Sequence, residues 1–149
     1  MQDILYTTEL ACAYLAATAS LASDYNGGTV NIYTGMDNLT KDAPAITCWA
    51  ESATEYDYLF SGQWMVRMNV SMKEMASSAS LNNFGNLVGD IESQFLSQNI
   101  EGVLANSVPN YYVYQVKMAD RNFTISGDAW NHTLGLDILC TITSGSTYP

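Results

Sequence analysis

The sequence predicts one α+β domain, spanning residues 1–149, in which an antiparallel or mixed β-sheet carries two main helices on one face. The predicted order is α–β–β–β–α–β–β–β. The chain has 149 residues, the usual length of a single domain. Two segments show the apolar spacing of helices, and several others alternate as strands do. The strands come in two runs, each preceded by a helix, which favours antiparallel pairing over parallel βαβ units.

The first predicted element is a helix over residues 3–23. Its alanines favour helix and permit close packing. Asn26-Gly27-Gly28 ends it, because glycine readily adopts the positive φ found after a helix. A short strand over Val30–Tyr33 and a loop over Thr34–Ala43 follow. The apolar residues that share one face of the helix are Leu10, Tyr14, Ala17 and Leu21.

Two strands are predicted next, over Ala45–Ser52 and Gln63–Lys73. The second gives the clearest strand signal in the chain, because its apolar residues recur at every second position. Between the two strands lies Ala53–Gly62, which is either a hairpin loop or a long protruding β-arm. In the second strand the residues that point to one side are Trp64, Val66, Met68, Val70 and Met72, and those that point to the other are Met65, Arg67, Asn69, Ser71 and Lys73.

The second predicted helix runs from about Ser80 to Gln98, with Ser80 as its N-cap. It is followed by a connector, Asn99–Asn110, with room for another turn of helix. The apolar stripe of this helix is Leu81, Phe84, Val88, Ile91 and Phe95.

Three strands close the prediction. The first is indicated by the alternation of Tyr112, Tyr114, Val116 and Met118. The other two cover Arg121–Ser126 and Ala129–Thr143, with a turn at Gly127-Asp128 between them. The residues that form one face of the last strand are Trp130, His132, Leu134, Leu136, Ile138, Cys140 and Ile142.

The charge balance limits the possible partners. The net charge is −10, from fifteen acidic and five basic residues. A site that grips nucleic acid through its phosphates needs clustered Lys and Arg, so specific nucleic-acid binding is not expected. Low charge content with ten tyrosines and three tryptophans favours a surface partly covered by neighbouring subunits, over a Tyr-rich core with a neutral surface.

The cysteine pattern indicates neither a disulfide framework nor a metal site. Cys12, Cys48 and Cys140 are an odd number at wide spacings, without a CxxC pair. We expect Cys48 and Cys140 to be small buried hydrophobes of a protein that folds in the reducing cytosol. The apolar stretch Leu10–Leu21 is too short to span a membrane and lacks the basic flank of a signal peptide.

No catalytic, metal-binding or cofactor-binding constellation is evident, so we expect that the chain is not an enzyme. His132 is the one histidine, and a lone histidine on an apolar strand face is more often a hydrogen-bonded core or interface residue than a base. The residues Asp120, Asp128 and Asp137 match no calcium loop. The acids Glu51, Glu55 and Asp57 could act as paired carboxylates, but a solvated acidic rim is the favoured interpretation.

The order of elements resembles that of the tail-terminator and tail-completion (neck) proteins of tailed bacteriophages. The segments that carry the resemblance are APAITCWAES (43–52), GQWMVRMNVSMK (62–73), SLNNFGNLVGDIESQFL (80–96) and ISGDAWNHTLGLDILCTI (125–142). The resemblance implies a virion protein, assembled in the host cytoplasm, that forms a ring, typically a hexamer, at the head-proximal end of the tail tube. Its implied partners are the tail-tube protein and the head connector, with DNA passing through the lumen. Such proteins have no catalytic residues to transfer.

Within such a ring, the acidic and aromatic segment between the second and third predicted strands is the expected contact between subunits, because its aromatic residues would otherwise be exposed on a loop. Two alternatives stay open. One is a head-closure or minor capsid protein of the same virion. The other is a small enzyme or ligand-binding domain with a pocket between helix Ser80–Gln98 and the sheet. The residues of the predicted contact are Glu51, Glu55, Tyr56, Asp57, Tyr58 and Phe60.

Overall fold

The predicted α+β fold class and element order are confirmed by the structure, a computed structural model. The structure describes residues 2–17, 30–35, 44–55, 62–76, 81–96, 100–105 and 108–142. Residues 18–23 of the first predicted helix, the predicted glycine stop at 26–28, most of the predicted loop 34–43 and the predicted N-cap Ser80 lie outside these residues. The elements are α1 (Gln2–Ala17), β1 (Asn31–Thr34), β2 (Ala45–Glu55), β3 (Trp64–Met75), α2 (Leu81–Phe95), α3 (Ile100–Ala105), β4 (Tyr111–Ser126) and β5 (Ala129–Ile142).

The strands form one mixed five-stranded sheet in the order β1-β2-β3-β5-β4. β1 pairs with β2 in parallel, and all other neighbours are antiparallel. The predicted strands around 112–118 and 121–126 are successive parts of β4, and α3 lies in the predicted connector. β2 and β3 stay paired as far as Glu55 and Trp64. Most of the predicted loop or β-arm, residues 56–61, lies outside the described residues.

The two sides of β3 differ as the alternation predicts. From Val66 to Glu74 its even-numbered residues are buried against the helices, and Val66, Met68 and Met72 are fully buried there. Its odd-numbered residues lie on the opposite, more polar face of the sheet, where Asn69 and Ser71 take part in side-chain hydrogen bonds. We call these two sides the helix face and the polar face.

Both main helices lie on the helix face. α1 packs over β1, β2 and β3, and its Thr8 hydroxyl also lies 3.7 Å from the Cys140 thiol of β5. α2 covers the other side of the same face, where the Phe84 ring lies 5.8 Å from the Trp130 ring of β5. The core therefore lies between one layer of helices and one sheet, as the sequence predicts.

The apolar stripe that predicts α1 is not the stripe that the helix buries. Leu10 is 37% exposed and Tyr14 is 57% exposed, and Ala17 is exposed as well. The helix packs instead through a face that combines Ile4 and Leu15 with smaller side chains, and its alanines and Cys12 allow it to approach the sheet closely. The buried residues of α1 are Ile4, Thr8, Ala11, Cys12, Leu15 and Ala16.

The predicted stripe of α2 needs a smaller correction. Its buried residues are Phe84, Leu87, Ile91 and Phe95. Leu81 is exposed and Val88 is half-buried. Leu87 replaces them because the helix presents the centre of its apolar face, and not the edge, to the core.

Two irregularities in β4 overturn the predicted alternation of its tyrosines. The register against β5 shifts between Val113 and Gln115 and again between Met118 and Asp120. Each shift adds one residue to β4, so side chains before and after it change faces. Tyr112 consequently pairs with Thr141 on the polar face, whereas Val116 pairs with Ile138 on the helix face. The predicted turn is confirmed, since Ser126 pairs with Ala129 and Gly127 has a φ of 60°.

Candidate functional site

The predicted contact segment is only partly described. Glu51 and Glu55 are exposed in the C-terminal part of β2. Glu51 accepts a hydrogen bond of 3.1 Å from the Asn69 side chain, which places it over the polar face. The other four predicted residues, Tyr56, Asp57, Tyr58 and Phe60, lie outside the described residues, so their role stays a prediction.

An ion-pair cluster occupies the centre of the polar face. The guanidinium of Arg67 lies 2.7 Å from Asp137 and 3.9 Å from Asp120. Its hydrogen bond with Asp137 is the main cause that raises the pKa of Arg67. Asp120 reaches the cluster by lying across Gly135, where a β-carbon would collide with its carboxylate. Asp128 is far away at the β4–β5 turn, so the three aspartates form no common site.

A second polar cluster joins α2 to the hairpin of β4 and β5. The Glu92 carboxylate lies 2.9 Å from His132 Nε2 and 3.4 Å from the Arg121 guanidinium. The side chains of Glu92 and His132 are 15% and 13% exposed. His132 is thus a hydrogen-bonded residue on the apolar face of β5. Its partner could not be foreseen, because Glu92 lies 40 residues earlier.

An apolar pocket of about 310 Å³ opens beside this cluster. It lies between α2 and the end of the β4–β5 hairpin. His132 is its one titratable side chain, so it has little with which to orient a polar ligand. The lining residues are Leu81, Phe84, Gly85, Val88, Phe123 and His132.

The three cysteines are free thiols buried in the core, one on α1 and two on the sheet. Burial is the main cause that raises the pKa of Cys12, Cys48 and Cys140. A thiol that stays protonated is a poor nucleophile and a poor metal ligand. In the described ranges no three His, Cys, Asp or Glu side chains are grouped so that they could hold a metal ion. These cysteines are structural, as the sequence predicts for two of them.

Glu74 is the least satisfied buried group of the described residues. It lies on the helix face of β3 and is 1% exposed. One carboxylate oxygen accepts the N–H of Met75, and the other has no hydrogen-bond partner. Such a group costs free energy, because burial removes water that nothing replaces.

Exposed apolar side chains are concentrated on two elements. On α1, Tyr6, Leu10 and Tyr14 form a stripe with a spacing of four residues, which points away from the sheet. The edge strand β4 has exposed apolar residues on both faces, and Ile125 is 67% exposed. Contiguous exposed apolar surface of this kind marks contact sites more often than it marks chemistry. The exposed apolar residues of β4 are Tyr112, Tyr114, Met118, Phe123 and Ile125.

No protein-family model and no curated protein matches the chain. Its fold, however, is found in a solved structure. A chain in the virion of a native gene transfer agent (GTA) particle superposes with a TM-score of 0.54. The likeness covers 87% of this chain and 91% of that chain, at 8% sequence identity. The two chains share a fold. None of the helices within the described residues is long and apolar enough to cross a membrane.

Proposed function

We propose that the chain is a structural protein of a phage-like virion, and specifically a tail terminator. The observation that carries the proposal is the likeness, over most of both chains, to a chain of a gene transfer agent virion particle. The order of elements, which resembles that of tail terminators and neck proteins, supports the finer assignment. In this role the chain has no catalytic task and needs no cofactor.

The proposed protein forms a ring, typically a hexamer, at the head-proximal end of the tail tube. There it contacts the tail-tube protein on one side and the head connector on the other. The exposed apolar residues of α1 and β4 supply surface for such contacts. The net charge of −10 allows DNA to pass through the lumen without adhering to it.

Assembly of the purified chain tests the ring. We expect size-exclusion chromatography with light scattering to give a multimer, and negative-stain electron microscopy to show annular particles. A chain that stays monomeric at every concentration, both alone and with the tail-tube protein of the same genome, would refute the ring.

Tube growth separates a terminator from a head-closure or minor capsid protein. When the chain is added to polymerising tail-tube protein, a terminator shortens the tubes and caps one end. A head-closure or capsid protein leaves the tube length unchanged, which electron microscopy measures directly. The genes beside the coding sequence provide a further check, since tail-tube and portal genes are expected there.

The apolar pocket beside α2 favours a second candidate, a small ligand-binding domain. Its volume of about 310 Å³ is in the range that holds a small molecule. Trp130 contacts Phe84, which lines the pocket, so an apolar ligand should change tryptophan fluorescence. Saturable binding that is lost in Val88→Trp, which fills the pocket, would favour this candidate. A monomer or dimer in solution would agree with it, whereas a ring would not.

A further inference from the structure

The sheet has two open edges in the described part of the chain. β4 is the edge on one side along its whole length, because it pairs with β5 alone. On the other side β1 pairs with Ala45–Cys48 of β2, and no described strand covers residues 51–55. Glu9 of α1 accepts the Ala50 N–H at 2.8 Å, so the open edge of β2 begins after Ala50. An unpaired edge offers main-chain N–H and C=O groups to another strand.

The two open edges carry opposite charges. β4 presents Lys117, which is exposed on the polar face and is one of the five basic residues in the chain. Arg121 of β4 lies on the helix face, where it pairs with Glu92. The open end of β2 presents Glu51 and Glu55, also exposed. Asp120 of β4 does not cancel this difference, because it lies over the sheet towards Arg67. Complementary charge selects a partner and fixes its register.

The strand register places these charges at one level of the sheet. Ser52 pairs with Arg67, Arg67 pairs with Asp137, and Asp137 pairs with Lys117. All four residues therefore stand in one row on the polar face. Glu51, the neighbour of Ser52, faces the same side. When a second copy stands beside β4 at the same height, the charges in the row alternate from Arg67 to Asp137, to Lys117, and to the second copy's glutamate.

We propose that β4 of one copy pairs, antiparallel, with residues 51–55 of β2 in the next copy. β4 is regular between its two irregularities, over residues 115–118, and residues 115–117 of this stretch are level with Ser52–Thr54. Pairing of β4 with β4 about a two-fold axis at Lys117 would instead set the two Lys117 side chains opposite each other, and like charges in that position repel. The contact joins two different edges, so it is heterologous and builds a ring or a filament.

This inference rests on the proposed function, and it names the surface through which the ring forms. It also gives the predicted contact residues Glu51 and Glu55 a partner strand. A disulfide between Ser52→Cys and Lys117→Cys tests it. Within one copy these positions are three strand spacings apart, roughly 14 Å. A disulfide needs Cα atoms about 4.4–6.8 Å apart, so it can form only between two copies. The three natural thiols are buried and do not compete.

We expect mild oxidation of the double variant to give a ladder of covalent multimers on a non-reducing gel, and each single-cysteine variant to remain monomeric on it. Lys117→Glu should weaken self-association at least about tenfold, because it sets two acids against each other. Adding Glu51→Lys to Lys117→Glu should restore association. Lys73→Glu, the same charge change on the inner strand β3, is the control.

The outcomes separate the two proposals when wild-type assembly is measured by light scattering alongside. Multimers in solution without a ladder would overturn the edge pairing and leave the ring intact. Efficient dimers from Lys117→Cys alone would overturn it in favour of β4–β4 pairing. A ladder that appears with the double variant alone, together with rescue by the charge swap, supports the pairing.

Discussion

Burial in the core between α1 and the sheet keeps three thiols and a phenol neutral. The Tyr111 hydroxyl donates to Thr8 at 3.1 Å, and Thr8 also contacts Cys140. Burial is the largest cause that raises the pKa of Tyr111 and of all three thiols. Because the folded pKa exceeds the unfolded one, the folded state keeps these protons to higher pH. Their contribution to stability is complete below the unfolded thiol pKa of about 8.5, and it is lost as the pH rises through the folded values.

The free energy of unfolding should therefore fall above about pH 8.5, by up to about 1.4 kcal/mol per pH unit for each buried thiol. Cys48→Ala removes one such group and should make the fall shallower, although the variant is less stable at neutral pH. Urea denaturation at several alkaline pH values measures the slope. Ser93→Ala, on the exposed side of α2, should leave the slope unchanged. Equal slopes in Cys48→Ala and the wild type would contradict this explanation.

Glu92 is the polar link between α2 and the β4–β5 hairpin. Removing its carboxylate in Glu92→Ala leaves His132 and Arg121 without their acceptor, and His132 is mostly buried. We expect the free energy of unfolding to fall by about 1–3 kcal/mol. Glu92→Gln keeps an acceptor and should lose less. Asn82→Ala, exposed on the same helix, should change stability by less than about 0.5 kcal/mol. If chemical denaturation gave Glu92→Ala the same free energy of unfolding as Asn82→Ala, the proposed link would be wrong.

The contact partners of single residues were the least predictable feature of the molecule. The alternation of β5 placed His132 on the apolar face, and the apolar context of Cys48 and Cys140 indicated burial. The partners of these residues lie far along the chain: Glu92 is 40 residues from His132, and Thr8 is 132 residues from Cys140. No local spacing connects such pairs, because they meet only when helices and sheet pack together.

At the scale of elements, the apolar periodicity predicted the helices and strands. Which face each helix buries followed only from its packing on the sheet. Four of the five predicted stripe residues of α2 keep contact with the core or its margin. For α1 the predicted stripe of Leu10 and Tyr14 points outwards, and the helix buries a different apolar face that includes Ile4 and Leu15. Apolar spacing predicts a helix but not which face it buries when both faces carry apolar residues.

The first irregularity of β4 gives an element-scale prediction. Tyr114 is the extra residue between Val113, which pairs with Cys140, and Gln115, which pairs with Leu139. Deleting Tyr114 should preserve every pair on both sides, with Tyr111 still buried, so the variant should fold with a cost of about 1 kcal/mol. Deleting Met68 from β3 should prevent folding, because the pairing with β5 has no spare residue and half of the strand would change faces.

Thermal unfolding followed by circular dichroism checks both deletions. A cooperative transition is expected without Tyr114, and none without Met68. If loss of Tyr114 also abolished the transition, the irregularity would be a requirement of the fold, and not an insertion that it tolerates. Nothing in the sequence indicates this feature, because Tyr112, Tyr114, Val116 and Met118 alternate without a break.

For the whole molecule, the order of elements was predictable, whereas the sheet order β1-β2-β3-β5-β4 came from the structure. That order leaves β4 open on one side and the end of β2 open on the other. The predicted contact segment begins at this end of β2. Composition alone indicated an interface but not where it lies. The strand register shows that Glu51 and Glu55 lie on the open edge of β2.

The segment that follows this edge, Tyr56–Phe60, is the last element to test. Deleting Thr54–Phe60 would also remove Thr54 and Glu55, which pair with Met65 and Trp64. Replacing residues 56–61 with six alternating serines and glycines keeps the length of the connection and leaves all β2–β3 pairs in place. The variant should therefore remain folded, with a circular dichroism spectrum and unfolding midpoint close to those of the wild type. Its multimers should be lost in light scattering, because the aromatic part of the contact is gone. Asp128→Ser, in the turn at the opposite end of β4, should assemble normally, and unchanged assembly of the replaced segment would remove it from the interface.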